Sequence, residues 1–188
     1  MTDVLITGGR VIDGTGNAWF YGDLAITGDR IERVAPPGAI DPETAGTVID
    51  ASGHVVAPGF IDIQSHSIIP FLIDGRSLSK VTQGITTEIM GEFWTPAPYG
   101  GRVSDPFGIA LVHRLSDEEA TSWGEVVREW SRFGDWLAFL EEKGVSVNVG
   151  SFLGGGTVRE YAMGEAMGEP GEDELSEMRR ITAEAMED

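Results

Sequence analysis

The feature that most constrains the fold is an alternation of short apolar runs with helix-like segments, which begins after residue 58. Three apolar runs have the length of strands buried on both faces, and they cover residues 60–63, 86–90 and 145–152. Helices are predicted between and after them, at 77–83, at 123–143 and from about Glu172 onwards. Strands that alternate with helices in this way predict parallel βα units.

The clearest predicted helix carries a stripe of large apolar side chains at helical spacing, formed by Trp123, Val126, Val127, Trp130, Phe133, Leu137 and Leu140. Lys143 and Gly144 supply the cation and the glycine that commonly end a helix. We therefore predict one helix that packs this stripe into the core, and we do not interpret its tryptophans as a cofactor site.

The first 57 residues follow a different pattern, in which short β-rich runs are separated by glycine-containing turns. The runs cover residues 4–6, 10–12, 23–26, 30–34, 47–49 and 55–57. Turns are predicted at Gly8-Gly9, at 14–16 and at Gly28-Asp29. The sequence thus predicts a small β domain over residues 1–57 and an α/β domain over residues 58–188.

The charge and composition of the chain limit the classes of molecule that it can be expected to bind. The chain has 31 acidic and 13 basic residues and a formal charge of −18, which disfavours binding to nucleic acid. It contains no cysteine, so disulfides and thiolate zinc sites are excluded. No stretch approaches the roughly 20 apolar residues of a membrane span, and the first residues do not resemble a leader. We therefore expect a cytoplasmic protein that binds no membrane.

The strongest chemical signal follows the first buried run, where Gln64 and His66 are two residues apart. Alternate residues of a strand face the same side, so both side chains are expected at the carboxyl end of that strand. An imidazole in this position can bind a divalent metal, which makes its water a nucleophile near neutral pH. A purely structural histidine is the alternative for His66.

Several segments together resemble a known family. They are residues 57–67 (APGFIDIQSHS), 81–92 (VTQGITTEIMGE), 96–98 (PAP), 148–154 (NVGSFLG), 157–159 (TVR) and 163–164 (MG). In this order they resemble the amidohydrolase superfamily, and within it the N-acyl-D-amino-acid deacylases. The resemblance implies part of a β-sandwich followed by the first βα units of a TIM-type barrel. Because such a barrel needs eight units, we expect an incomplete N-terminal part of a longer enzyme.

The resemblance also implies a set of metal ligands, here for a divalent metal, zinc being expected, with one or two ions in the full-length protein. His66 matches the second histidine of a His-x-His motif, whereas Gln64 replaces the first. An amide is a poorer zinc ligand than imidazole. Glu92 stands next to the position where well-known members have a cysteine, and it is the second candidate ligand. A solvated acid is the alternative for Glu92.

Other residues are weaker candidates. Trp94, Ser67 and Arg159 are candidates for the substrate pocket, although wall packing for Trp94 and a salt bridge for Arg159 remain open. Thr157 is a candidate helix cap, and the glycines at 154–156, where the family often has Gly-His-Gly, are interpreted as flexible backbone. His54 is expected to be structural and His113 exposed.

By resemblance, the full-length protein hydrolyses the amide of an N-acyl-D-amino acid or a related small amide with metal-activated water. The family's catalytic aspartate comes from a later strand, so no catalytic residue is assigned here. We therefore expect the 188-residue chain to be inactive alone. Two alternatives remain: a cyclic amidase similar to dihydroorotase or hydantoinase, and a metal-free relic with a binding role.

Overall fold

A computed structural model describes residues 2–107 and 115–188, and the chain divides between Pro58 and Gly59 into two compact units. The first unit is a mixed sheet with strand order β3-β2-β1-β4, to which β5 is added beside β1. Strands β1 and β2 and strands β2 and β3 are antiparallel, whereas β4 and β5 run parallel to β1. The strands are β1 (Thr2–Val11), β2 (Phe20–Thr27), β3 (Arg30–Ala35), β4 (Ala45–Asp50) and β5 (Val55–Val56).

The predicted turn at Gly8-Gly9 is wrong, because β1 continues through both glycines. The pairing of β1 with β2 shifts in register between Ile6 and Gly9, as in a β-bulge. Gly8 takes a positive φ of 67°, and a Cβ on Gly9 would lie 2.5 Å from a methyl carbon of Val56. Gly8 and Gly9 therefore permit a bulge and a close contact between strands. In the sequence alone, glycines with these two roles look the same as the glycines of a turn.

The second unit contains three parallel strands in the order β6-β7-β8, as the sequence predicts. Its core contains Phe71, Met90, Val127 and Trp136. In chain order its elements are β6 (Phe60–Ser65), α1 (Ile68–Ile73), α2 (Leu78–Val81), β7 (Ile85–Met90), α3 (Asp117–Arg128), α4 (Phe133–Lys143), β8 (Asn148–Ser151), α5 (Gly155–Met163) and α6 (Glu172–Ala185).

Strand β6 is not buried on both faces, contrary to the prediction from its apolar run. Phe60, Ile61 and Ile63 are 61%, 62% and 65% exposed. Among the described strands β6 pairs only with β7, so it forms an edge of the sheet. An apolar run indicates that a strand tends to be buried, but it does not show which other elements of the protein bury it.

The apolar stripe from Trp123 to Leu140 belongs to two helices and not to one. Helix α3 ends at Arg128, and α4 begins at Phe133 with Arg132 as its N-cap. The carboxylate of Asp135 accepts a hydrogen bond from the Arg132 N–H at 2.8 Å, which stabilises a new helix start. The predicted end at Gly144 is confirmed, as this residue has a φ of 78° at the C-cap.

The stripe itself lies in the core as predicted: Trp130, Phe133 and Leu140 are buried, and Trp123 packs against them. None of the helices in the described ranges, 2–107 and 115–188, has the length and apolar character needed to cross a membrane.

Candidate metal and substrate site

The candidate site lies where β6 and β7 end. His66 directly follows β6, and Glu92 comes two residues after the end of β7. Because the two strands are parallel neighbours, their carboxyl ends meet at the same edge of the sheet. His66 Nε2 lies 3.2 Å from Glu92 Oε1, and the two side chains are 77% and 29% exposed. The structure thus brings the two predicted ligands together at the edge where α/β proteins place their chemistry.

Glu92 reaches His66 because Gly91 turns the chain sharply after β7. Gly91 has a φ of 87°, a backbone angle that residues other than glycine rarely adopt. A Cβ at this position would also clash with the carbonyl oxygen of Phe152 and would lie 2.7 Å from Ser151 Oγ. Gly91 therefore permits the sharp bend that places the carboxylate of Glu92 next to His66.

A small cavity of about 90 Å³ opens beside the two residues. Its lining is Ser65, His66, Ile68, Gly91, Glu92, Phe93 and Trp94. Trp94 therefore forms part of the cavity wall. A larger depression of about 330 Å³ is lined by Arg76 and by residues 143–146, which precede β8. It therefore lies at the amino end of the strands and away from His66.

The donor atoms of His66 and Glu92 fit a shared metal ion. Two ligand atoms at about 2 Å from a tetrahedral zinc are about 3.3 Å apart, close to the 3.2 Å observed between Nε2 and Oε1. Three or more metal-binding side chains of the His, Cys, Asp or Glu type do not cluster anywhere in residues 2–107 and 115–188. The described residues thus offer a pair of candidate ligands, and Gln64 lies exposed two residues before His66 in the sequence.

Gly154 and Gly156 pack closely against the wall of this cavity and are not simply flexible backbone, whereas a Cβ on Gly155 would meet nothing within 4 Å. A Cβ on Gly154 would lie 2.6 Å from Trp94 Cα, and one on Gly156 would lie 2.8 Å from the Phe93 carbonyl oxygen. The Gly156 N–H donates to this same oxygen at 2.8 Å. Glycine is required here because two stretches of backbone approach each other.

Thr157 is not the cap of α5, which is Gly154. Its buried hydroxyl accepts a hydrogen bond from the Thr95 N–H and donates one to the Thr95 carbonyl, both at 2.8 Å. The side chain therefore holds the segment after Trp94 to helix α5.

Two predicted pocket residues do not line the cavity. Ser67 is buried and lies 2.5 Å from Glu88. Arg159 donates to the carbonyl oxygens of Ala166 and Gly168 at 2.8 and 3.0 Å, so it stabilises the segment after α5.

The other two histidines of the chain are His54 and His113. In the first unit, His54 Nδ1 lies 3.0 Å from the Ser52 carbonyl oxygen, which agrees with a structural role. His113 lies outside the described residues.

Glu88 is the important residue that sequence reasoning missed. Its side chain is fully buried within β7, where it contacts the hydroxyls of Ser65, Ser67 and Ser77. An acid in the middle of the apolar run 86–90 was a signal, because a charged group is buried only where partners compensate it.

No protein-family model matches the chain. It is 31% identical to the D-aminoacylase of Alcaligenes xylosoxydans over 98% of its own length, which corresponds to 35% of that protein. A solved D-aminoacylase with a binuclear metal centre matches with a TM-score of 0.81 and 29% identity, over 100% of this chain and 37% of the other. The N-acyl-D-glutamate deacylase of Bordetella bronchiseptica, solved with zinc and a phosphonate inhibitor, matches with a TM-score of 0.76 and 28% identity, over 99% and 36%.

These similarities extend through both units and include the segments around His66 and Glu92. The chain spans about a third of the length of the curated relatives it matches, at 35% of the D-aminoacylase. It has the fold of the corresponding part of these enzymes. Over nearly its whole length the chain is thus similar to N-acyl-D-amino-acid deacylases, which are amidohydrolases.

Proposed function

We propose that the full-length protein hydrolyses the amide bond of N-acyl-D-amino acids. The observation that carries this proposal is the pairing of His66 Nε2 with Glu92 Oε1 at 3.2 Å, at the carboxyl ends of two parallel strands. Relatives with this named activity align with 98% of the chain, which supports the same class of reaction.

The proposed architecture follows from the two units. The mixed sheet before Pro58 is proposed to form part of a β-sandwich, and β6, β7 and β8 the first three strands of an eight-stranded barrel. The parallel order β6-β7-β8 supports this assignment, as does the placement of the site at the carboxyl edge. Exposed apolar residues on β6, such as Phe60 and Ile63, agree with a strand that further parts of a barrel cover.

His66 and Glu92 are the residues that would hold a divalent metal, with zinc as the expected ion. When bound, such an ion supplies an activated water and stabilises negative charge on the substrate oxygen. His66 contributes a neutral nitrogen donor, and Glu92 contributes a carboxylate that offsets part of the ionic charge. Trp94 forms an apolar wall that excludes water and orients the substrate beside these groups.

The 188-residue chain by itself is proposed to be inactive, because it supplies only two ligands of this kind within its described residues. A catalytic site needs further ligands and a general acid or base. An amidase assay of the isolated chain in the presence of zinc tests this point, and metal-dependent turnover would refute it.

The substrate class is tested by assaying the full-length protein against N-acyl-D-amino acids, their L-enantiomers, and cyclic amides such as hydantoins. Hydrolysis of the D-series supports the proposal, whereas ring opening of the cyclic amides alone would identify a cyclic amidase. No turnover with any metal would favour the metal-free relic. His66→Ala should abolish activity, and His54→Ala serves as the control because His54 lies in the first unit.

A further inference from the structure

Glu88 lies beneath the candidate site, at the centre of a buried polar cluster. Its Oε2 contacts the hydroxyls of both Ser65 and Ser67, the latter at 2.5 Å. The two serine oxygens are 2.7 Å apart, so the three groups form a compact triangle. All three side chains are buried.

The second carboxylate oxygen of Glu88 is also satisfied. Ser77 Oγ donates to Oε1 at 2.7 Å, and Lys80 Nζ lies 3.7 Å from Oε2. Three hydroxyl contacts and a nearby cation are the kind of environment that a buried carboxylate requires. Glu88 therefore joins β7 to the end of β6 and to the start of α2.

The two serines that share Oε2 are the immediate neighbours of His66. The imidazole of His66 is largely exposed. The residues before and after it, however, are both held by hydroxyl contacts to Glu88 Oε2, which is buried. Ser67 also occupies the N-cap position of α1, but its hydroxyl makes no capping bond and contacts Glu88 instead. The Ser67 hydroxyl thus bonds within the buried cluster and does not make the capping hydrogen bond that often stabilises the start of a helix.

We propose that Glu88 is a positioning residue for His66, which acts by fixing Ser65 and Ser67. The proposal rests on the function proposed above, in which His66 is a metal ligand. Fixed neighbours hold the imidazole nitrogen near Glu92 Oε1 and reduce the entropy lost when a metal binds. Glu88 itself contacts neither metal nor substrate.

The test compares variants of the full-length protein that disturb the same carboxylate from opposite sides. The double variant Ser65→Ala/Ser67→Ala releases the neighbours of His66, whereas Ser77→Ala removes one hydroxyl from the other carboxylate oxygen. Glu88→Gln retains size and an accepting oxygen and serves as the conservative variant. The readouts are zinc affinity and, in the metal-free protein, hydrogen exchange of the amides of residues 65–68.

We expect the double variant to bind zinc about 10- to 100-fold more weakly and to exchange these amides several-fold faster. Ser77→Ala should leave zinc affinity within about twofold of wild type, and Glu88→Gln should lie between the two. Equal losses in the double variant and in Ser77→Ala would show a general structural role and overturn the proposal. Unchanged zinc affinity in the double variant would overturn it as well.

A further variant separates this proposal from the proposed function. If His66→Ala leaves the bound zinc unchanged, the assignment of His66 as a ligand fails, and the role of Glu88 toward a ligand fails with it. If His66→Ala removes zinc while the double variant retains full affinity and slow exchange, only the role of Glu88 is overturned. A variant that does not fold is recognised by exchange throughout the chain, and the comparison then rests on Glu88→Gln and Ser77→Ala.

Discussion

Lys80 places its Nζ 2.5 Å from Asp62 Oδ2, and this ion pair joins helix α2 to strand β6. The two side chains are only 23% and 26% exposed. The hydrogen bond from Lys80 lowers the pKa of Asp62, and the same bond raises the pKa of Lys80. Because Asp62 Oδ1 also accepts a bond from the Gln64 N–H, the pair stabilises the stretch of chain that leads to His66.

Asp62→Asn is therefore expected to lower the free energy of unfolding of the second unit by about 1 kcal/mol at neutral pH. The pKa of Asp62 is depressed, so its contribution is present above the ordinary value of 3.8 and is lost as pH falls through the folded value. The pKa of Lys80 is raised, so its contribution is present below 10.5 and is lost as pH rises through the folded value. Urea unfolding across pH measures this difference.

The control for this prediction is Glu141→Gln, which removes an exposed acid from α4 in the same unit. Its unfolding free energy should stay within about 0.5 kcal/mol of wild type at every pH. A loss in Asp62→Asn that persists unchanged at pH values well below 3.8 would contradict the ion-pair explanation.

Thr157→Val should destabilise the second unit by about 2 kcal/mol, because it leaves the buried N–H and carbonyl of Thr95 without their partner. Thr121→Val is the matched control, since Thr121 lies exposed within α3 and its hydroxyl bonds only to the Asp117 carbonyl. Thermal unfolding of both variants gives the comparison. Similar losses at the two positions would attribute the effect to helix propensity and not to the buried bonds.

Gly91→Ala tests the bend that presents Glu92. We expect a loss of about 3 kcal/mol together with weaker zinc binding, because the new Cβ meets Ser151 Oγ and the Phe152 carbonyl. Gly144→Ala has a similar φ of 78° and nothing within 4 Å of its Cβ, so it isolates the cost of the backbone conformation at about 1 kcal/mol. If both variants lose the same stability and Gly91→Ala binds zinc normally, close packing at Gly91 is not important.

The apolar runs and their alternation with helices predicted the parallel strands and placed His66 at a strand end. Glu92 became the second candidate ligand only through the resemblance to the N-acyl-D-amino-acid deacylases. The sequence did not identify the break between α3 and α4, which depends on the side chain of Asp135 bonding to the Arg132 backbone. The apolar stripe continues across the break, so helical periodicity alone cannot reveal it.

The exposure of individual strands and the partners of Glu88 could not be predicted for a related reason. The exposure of Phe60 depends on which elements cover an edge strand, and this is a property of the whole assembly of strands and not of the run itself. The partners of Glu88 come from two separate segments, one with Ser65 and Ser67 and one with Ser77. Such a cluster is apparent only when the tertiary contacts are known.

Gln64→His is the most direct test of how much the departure from the His-x-His motif matters. Residues 64 and 66 are two apart and both exposed, so a histidine at 64 can face the same side as His66. Imidazole is a better zinc ligand than an amide, and we expect the variant of the full-length protein to bind zinc at least about tenfold more tightly. Zinc titration against a competing chelator measures this change.

Gln83→His is the matched control, because it makes the same substitution just before β7, at the amino end of the sheet. It should leave zinc affinity unchanged, so an equal gain in both variants would reflect nonspecific binding by an added histidine. A gain confined to Gln64→His, accompanied by higher amidase activity, supports a natural site that works with two ligands from this chain. A gain in zinc without any activity in either protein would instead favour a relic that has lost catalysis.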